Sequence, residues 1–348
     1  MSTDAADMIA TMSAELAADD PIFLPSAFWN GLNAKNQRML EAEGLANFKR
    51  TVSQNYFNWF IADYQHPLFR HAYRQWQRHP NLLPFLTRMP EAQRLRLTTN
   101  DDRVDVGFWK RQQYRAYVCF IWTIMMQQDR RNFRAKVVEP EVGNPFRVTA
   151  GRRLLTQDLA NSIIECNVIA DLVDGIAAPR VAELGAGYGR VAHVYANTLP
   201  GQYFIFDIPP ALAVAQWYLE QTLGPDRVFG FRHFDRLEEV QPAIDRASVV
   251  LLTSNQMRKF PANYFNVSLS ISTLPEMRLD QANTYLSEFQ RLSRGHIFLK
   301  QWRDWKNPDD GTYLTPDSYR FGPEWHLVLD RTDPVIPDFF NRVFAKSA

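Results

Sequence analysis

The segment Arg180-Val-Ala-Glu-Leu-Gly-Ala-Gly-Tyr-Gly-Arg190 decides the fold of this chain. Its apolar first half predicts a buried strand over Arg180–Leu184, and three glycines at alternate positions predict a tight loop after it. The pattern then predicts an amphipathic helix over residues 191–199 and a second strand over residues 203–207, which ends in an acid. A strand, a glycine loop, a helix and a second strand with a terminal acid form a nucleoside-binding unit.

The spacing of the glycines separates two classes of cofactor. Dinucleotide-binding folds use G-x-G-x-x-G, and Arg190 stands where the third glycine would be, which argues against an NAD-linked oxidoreductase. This loop reads E-x-G-x-G-x-G from Glu183, without the geometry that cradles a pyrophosphate. S-adenosylmethionine has no phosphate, and an acidic residue beside the loop suits its ammonium and sulfonium. We therefore predict S-adenosyl-L-methionine as the cofactor and S-adenosyl-L-homocysteine as its product. An ordinary glycine-rich turn is the alternative.

Composition excludes several partners and locations. The chain has 348 residues, 46% of them apolar, and a net charge of +1, so it can bury a large core and offers no electrostatic footprint for nucleic acid. Cys119 and Cys166 lie in apolar helical contexts, which predicts no disulfide. Residues 1–20 lack a basic region, and the apolar stretch 118–126 is too short for a bilayer. We expect a cytoplasmic protein without a membrane span.

Two domains are predicted. Residues 1–150 form a helical N-terminal domain, which either caps the acceptor site or builds a homo-oligomer interface, and residues 151–348 form a Rossmann-like catalytic domain that binds S-adenosylmethionine. The N-terminal part carries apolar residues at helical spacing, an irregular connector follows at residues 138–147, and Thr156 then caps a helix. Predicted helices cover residues 46–63, 67–78, 106–134, 157–173 and 211–223, with a helical turn at 237–243.

The second half predicts an α/β fold with a largely parallel sheet. Further strands are predicted at residues 248–253, 265–271 and 296–301, with an extra short strand at 228–232 and a closing pair at 325–330 and 339–344. Seven strands with an antiparallel last member are the layout of class I methyltransferases.

Ligands of such sheets lie over the carboxyl ends of the strands. Asp207 is expected to accept hydrogen bonds from ribose hydroxyls, with a helix cap as the alternative, and the polar stripe on the helix 157–173 is either ligand-facing or solvated. Expected cofactor contacts are Gln157, Asn161, Glu183, Gly185, Ala186, Gly187, Gly189, Asp207, Ile208, Ser254, Asn255 and Gln256. Expected substrate contacts are Asp158, Ser272, Lys300 and Trp302.

Methyl transfer to a hydroxyl needs a group that takes the acceptor's proton. Glu276 and His233 are the candidates for this general base. Histidines and cysteines have no metal-ligand spacing, so no metal is expected, and the acidic turn at 304–310 favours a solvated loop over a cation site. Hydrolase chemistry has no support, because neither a catalytic triad nor a G-x-S-x-G elbow is present.

These segments together resemble the bacterial family of sugar O-methyltransferases, from about Glu139 to the C-terminus. The matching segments are Glu139-Pro-Glu-Val-Gly-Asn-Pro145, Gln157-Asp-Leu-Ala-Asn-Ser162 with Glu165, Glu183-Leu-Gly-Ala-Gly-Tyr-Gly-Arg190, Asp207-Ile-Pro-Pro-Ala211, and Lys300-Gln-Trp302 with Trp305-Lys-Asn-Pro308. The resemblance implies methyl transfer from S-adenosylmethionine to a hydroxyl of a sugar or another small-molecule or glycan acceptor.

One position departs from the family pattern. After the fourth strand the family reads Ser-x-His-Glu-Met, whereas this chain reads Thr273-Leu-Pro-Glu-Met277, with Pro275 in the place of the histidine. Glu276 then acts as the base, or another histidine does, or the acceptor is not a sugar. An O- or N-methyltransferase of a secondary metabolite is therefore an open alternative, and a non-catalytic protein that binds S-adenosylmethionine is another.

Overall fold

The computed structural model describes residues 3–51, 97–98 and 108–347. Its helices are α1 Thr3–Ala17, α2 Ala27–Glu43, α3 Phe48–Thr51, α4 Phe108–Gln128, α5 Gln157–Leu172, α6 Arg190–Thr198, α7 Ala211–Leu223, α8 Leu237–Ile244 and α9 Leu279–Leu292. Its strands are β1 Leu97–Thr98, β2 Val148–Ala150, β3 Arg153–Leu155, β4 Arg180–Leu184, β5 Gln202–Asp207, β6 Val228–Phe229, β7 Val249–Thr253, β8 Phe265–Ile271, β9 Ser293–Trp302, β10 Trp305–Lys306, β11 Tyr313–Leu314, β12 Trp325–Thr332 and β13 Phe339–Lys346.

The largest sheet in the described part of the chain confirms the predicted fold class. Its eight strands run in the order β12-β13-β9-β8-β4-β5-β7-β6. The strands from β9 to β6 pair in parallel, and β13 is antiparallel to both β9 and β12. Parallel neighbours need crossover connections, which the helices between them provide. Without the short edge strand β6, this is the Rossmann-like seven-stranded sheet of class I methyltransferases.

Several predicted boundaries agree with the structure and others do not. The bounds of β4, β8 and α7 are as predicted, and the Thr156 hydroxyl caps α5 by accepting from the Leu159 N–H at 3.1 Å. Helix α4 ends at Gln128, six residues before the predicted end, because the Asp129 carboxylate accepts the N–H groups of Phe133 and Arg134. The predicted helix 67–78 and most of 46–63 lie outside the described residues.

The central strands are apolar on both faces because helices cover the sheet on both sides. Alternate residues belong to two different cores: Val181 and Ile205 to one, Ala182 and Phe204 to the other. All of β7 and β8 is buried. Strands buried on both faces have nearly continuous apolar sequences, which is why their positions could be predicted.

The N-terminal helices pack onto this sheet. Met12 and Leu40 belong to one of the two cores, and Leu16 and Phe23 belong to the other. The small sheet formed by β1, β2 and β3 spans residue 150, where the sequence suggested a domain boundary. Side chains from both sides of residue 150 share the same cores. The domain boundary at this residue stays a prediction.

A buried ionic chain joins α6, α5, β9 and the turn before β13. The Lys300 ammonium lies 3.0 Å from Glu165 and 2.9 Å from Asp333, and Arg190 pairs with the same Glu165. Burial opposes ionisation of both acids, but Arg190 and Lys300 lower the pKa of Glu165, and Lys300 lowers that of Asp333. Two carboxylates thus hold the Lys300 ammonium inside the protein, and the substrate contact that the sequence assigned to Lys300 stays a prediction.

We expect Lys300→Met to lower the free energy of unfolding by about 3–5 kcal/mol, because it leaves buried carboxylates without their cation. Urea denaturation of the variant and the wild type measures this difference. The matched control is Arg278→Met, which breaks an exposed pair with Asp280 and should leave the free energy of unfolding nearly unchanged. Equal stability of Lys300→Met and the wild type would contradict the structural role.

Candidate active site

The glycine loop adopts a conformation that only glycine tolerates well. Gly185, Gly187 and Gly189 have φ values of 75°, 60° and 79°. A Cβ on Gly185 would lie 2.3 Å from the side chain of Thr273, which follows β8. The loop therefore passes close to the end of β8, and a side chain at this position would push the two apart.

The Asp207 carboxylate lies against the glycine loop, at the carboxyl end of β5. One of its oxygens accepts from the Gly187 N–H at 2.9 Å, and the other accepts from the Ile208 N–H at 2.7 Å. Burial raises the pKa of Asp207 to about 7, although these N–H donors favour its ionised form. The two ligand signals of the sequence, the loop and the acid, are thus joined by a direct hydrogen bond.

Helix α5 turns one face toward the loop. The Tyr188 hydroxyl donates to Asp158 at 3.1 Å, and the Arg190 guanidinium donates to the Ser162 hydroxyl at 2.9 Å. Burial raises the pKa of Asp158 to about 6. Asp158 was assigned to the substrate from the sequence, and the structure instead pairs its carboxyl with Tyr188.

Five predicted ligand residues carry buried polar atoms that make no hydrogen bond. They are Gln157 Oε1, Asn161 Oδ1, Ser254 Oγ, Asn255 Oδ1 and Ser272 Oγ. Gln157 and Asn161 are 3% and 9% exposed and lie one turn apart at the start of α5, beside the residues that contact the loop. A buried acceptor without a donor costs about 1–3 kcal/mol, and native proteins keep few of them. These atoms fit a ligand that brings its own hydroxyl and amine donors.

Other predicted cofactor contacts are used within the protein. Gln256 accepts from the Thr253 N–H at 3.0 Å and donates to the Arg232 carbonyl at 3.0 Å, so its amide closes the turn after β7. The Asn255 amide donates to Asp19 at 3.1 Å, just after α1. Both polar groups of the Gln256 side chain are thus engaged within the protein, and the cofactor contact expected of Gln256 stays a prediction.

The Glu183 carboxyl group does not present a negative charge to the glycine loop. Its carboxyl accepts from the Tyr203 hydroxyl at 2.7 Å, and burial raises its pKa to about 8. A carboxyl with this pKa is mostly protonated at neutral pH. The side chain turns toward β5, where its raised pKa opposes a negative charge, and the cofactor contact that the sequence assigned to Glu183 stays a prediction.

His233 and Trp302 are placed differently from their predicted roles. The His233 side chain is 61% exposed and pairs with Glu15, which raises its pKa, so it favours the protonated form and is a poor base. Trp302 is buried, with its ring stacked on Trp305 at 5.4 Å and edge-on to Phe339 at 4.4 Å. Its ring is used in packing, and the substrate contact expected of Trp302 stays a prediction.

Glu276 lies at the same edge of the sheet as Asp207. Burial raises its pKa well above the ordinary value, the neighbouring Asp207 raises it further, and a hydrogen bond from the Trp29 side chain opposes both. The Ser26 hydroxyl, which caps α2, also donates to the Glu276 carbonyl at 2.9 Å. Trp29 was not predicted as a site residue. The signal that could have found it is the capping serine followed by two aromatic residues.

The acidic turn holds the start of α2. The Asp309 carboxylate accepts the N–H groups of Ala27 and Phe28, at 3.0 and 2.6 Å. A carboxylate at a helix N-terminus satisfies free N–H groups and interacts favourably with the helix dipole. Among the described residues, no cluster of three or more His, Cys, Asp or Glu could hold a metal ion. No described helix is long and apolar enough to cross a membrane.

Comparison with known proteins gives only distant likenesses. No family model and no curated protein matches the sequence. Among solved structures, the chain is similar to magnesium protoporphyrin IX methyltransferase from Synechocystis with bound S-adenosylmethionine (13% identity, 55% of this chain, 84% of that chain, TM-score 0.37). It is also similar to an S-adenosylmethionine-dependent methyltransferase from Aquifex aeolicus (13%, 52%, 88%, 0.32) and to mitomycin 7-O-methyltransferase (12%, 54%, 57%, 0.34). At such TM-scores the fold assignment rests on the strand order.

We expect Glu183→Gln to flatten the fall of stability with rising pH. Because the folded pKa of Glu183 is raised to about 8, its contribution is present at low pH and is lost as the pH rises through that value. The amide stays neutral and still accepts from Tyr203. Melting temperatures between about pH 6 and 9 measure the effect, with the exposed Glu238→Gln as the control. Parallel pH profiles for Glu183→Gln and the wild type would refute it.

Proposed function

We propose that this chain is an S-adenosylmethionine-dependent methyltransferase. The observation that carries the proposal is the hydrogen bond between the Gly187 N–H and the Asp207 carboxylate, 2.9 Å long, at the carboxyl edge of a parallel sheet. It brings a narrow glycine loop and a ribose-binding acid together where open sheets of this kind bind ligands. The loop backbone, Asp207 and Ile208 would hold the adenosine part of the donor.

The unpartnered amide oxygens of α5 support a donor with an amino group. Gln157 Oε1 and Asn161 Oδ1 are buried acceptors, and an ammonium supplies several N–H donors. When bound, S-adenosylmethionine supplies a methyl group activated by the sulfonium. A pyrophosphate-bearing dinucleotide suits the site less well, because Arg190 stands at the third glycine position and is paired with Glu165.

We propose a hydroxyl of a sugar or a glycosylated small molecule as the acceptor, on the basis of the segments shared with sugar O-methyltransferases. Glu276 is the proposed base, since a carboxylate whose pKa is raised is a stronger base than an ordinary carboxylate. The replacement of the family histidine by Pro275 favours the alternative, O- or N-methylation of a non-sugar metabolite. Free, buried Cys119 and Cys166 support a cytoplasmic location.

Asp207→Asn should weaken binding of S-adenosylhomocysteine about 10- to 100-fold, because hydrogen bonds to a charged acceptor are lost at the ribose. Isothermal titration calorimetry measures the affinity directly and needs no acceptor. Asp226→Asn, at an exposed site before β6, is the matched control and should bind like the wild type. Unchanged affinity in Asp207→Asn removes the ribose assignment, and a wild type that binds no S-adenosylhomocysteine removes the proposed function.

Glu276→Gln should lower kcat about 100-fold, because an amide cannot take the proton of the acceptor hydroxyl. The affinity for S-adenosylhomocysteine should change less than about threefold, since the uncharged amide keeps the shape of the site. His233→Gln tests the other candidate base and should keep full turnover. Full activity of Glu276→Gln, or loss of activity in His233→Gln, would reassign the base.

A further inference from the structure

The start of α2 and the segment just after its end are each held by contacts with other parts of the chain. At its start, the Ser26 hydroxyl donates to the Glu276 carbonyl beyond β8. Past its end, Lys49 of α3 lies 2.5 Å from Glu139, and the second oxygen of Glu139 accepts from the Thr156 hydroxyl at 2.7 Å, at the start of α5. The middle of α2 therefore spans the distance between the end of β8 and the start of α5.

The inner face of α2 carries two amides that are not satisfied. Trp29, Asn33, Asn36 and Leu40 follow one another at intervals of four, three and four residues, so they share one face. Asn33 Oδ1 and Asn36 Nδ2 are buried and make no hydrogen bond, and Asn36 is only 3% exposed. A buried amide without a partner destabilises the fold, so its presence on a helix indicates a ligand that completes it.

Residues near the two ends of α2 also carry buried polar atoms that make no hydrogen bond. Ser272 Oγ follows β8, and Gln157 Oε1 and Asn161 Oδ1 begin α5, and all three are buried and unpartnered. The buried cations of this region are already neutralised, Lys49 by Glu139 and Lys300 by Glu165 and Asp333. The polar groups that remain without a partner are neutral hydrogen-bond donors and acceptors, near the candidate base Glu276.

We propose that the inner face of α2 is the acceptor-recognition site, in which Asn33 and Asn36 hydrogen-bond a neutral ring that carries several hydroxyl groups. The inference rests on the proposed methyltransferase function and deepens it. A hydroxyl both donates and accepts, so one ring satisfies the Asn36 N–H and the oxygens of Asn33 and Ser272, and leaves Gln157 and Asn161 to the ammonium of the methyl donor. An anionic acceptor finds its potential partners Lys49 and Lys300 already paired.

The test uses the full chain loaded with S-adenosylhomocysteine and titrated with methyl α-L-rhamnopyranoside, methyl α-D-mannopyranoside and methyl β-D-glucopyranoside, followed by ligand-observed NMR. At least one glycoside should bind the wild type in the millimolar range. Asn36→Leu and Asn33→Leu should each weaken it about tenfold or more, and should leave the affinity for S-adenosylhomocysteine unchanged. Asn36→Leu should also raise the melting temperature by about 2 °C, because an unpartnered amide is removed.

The rise in stability with loss of binding separates recognition from a structural role, which would move both in the same direction. Asn30→Leu replaces an amide on the exposed face of α2 and should keep glycoside affinity. Undiminished glycoside binding in Asn33→Leu and Asn36→Leu overturns the proposal, and so does a wild type that binds 3,4-dihydroxybenzoate but no glycoside, or neither. Failure of the wild type to bind S-adenosylhomocysteine contradicts the proposed function itself.

Discussion

The buried ionic chain of Arg190, Glu165, Lys300 and Asp333 is the interaction on which the rest of the structure depends. It ties the first residue after the glycine loop to α5, to the central strand β9 and to the turn before β13. Removing one of these four residues leaves an uncompensated buried charge. Replacing all four by well-packed apolar residues would change the free energy of unfolding little. Its contribution is therefore one of position: it holds the loop and α5 in one arrangement around the site.

The same sheet edge shows how surroundings decide the charge of a carboxyl. Glu165 and Asp333 are buried but stay ionised, because cations lie beside them. Asp207 is buried and Glu276 is half-buried close to it, and no cation of the described residues pairs with either, so the pKa of each is raised. Acids with opposite pKa shifts thus give this edge of the sheet both fixed charges and exchangeable protons, and the proposed methyl transfer to a hydroxyl needs a group that takes a proton.

The N-terminal helices belong to this site as much as the sheet does. Asp19, just after α1, accepts a hydrogen bond from the Asn255 amide. At the start of α2, the Trp29 side chain and the Ser26 hydroxyl hydrogen-bond Glu276. The sequence left two roles open for these helices, a cap over the acceptor and an oligomer interface, and the cap stays a proposal. A cap that carries recognising side chains would let a widely shared sheet serve one particular acceptor, since the sheet supplies only the donor half.

The sequence by itself determined the sheet and predicted the place proposed for the donor, because buried strands, alternate glycines and the Thr156 cap are local signals of local geometry. It could not determine which polar side chains face the ligand. Lys300, Glu183 and Gln256 stand where ligand contacts are expected, yet Asp333, Tyr203 and Thr253 engage them, and Asn33 and Asn36 were not singled out at all. Only the tertiary structure decided these roles, because a side chain's partner is a neighbour in space that lies far away, or unmarked, along the chain.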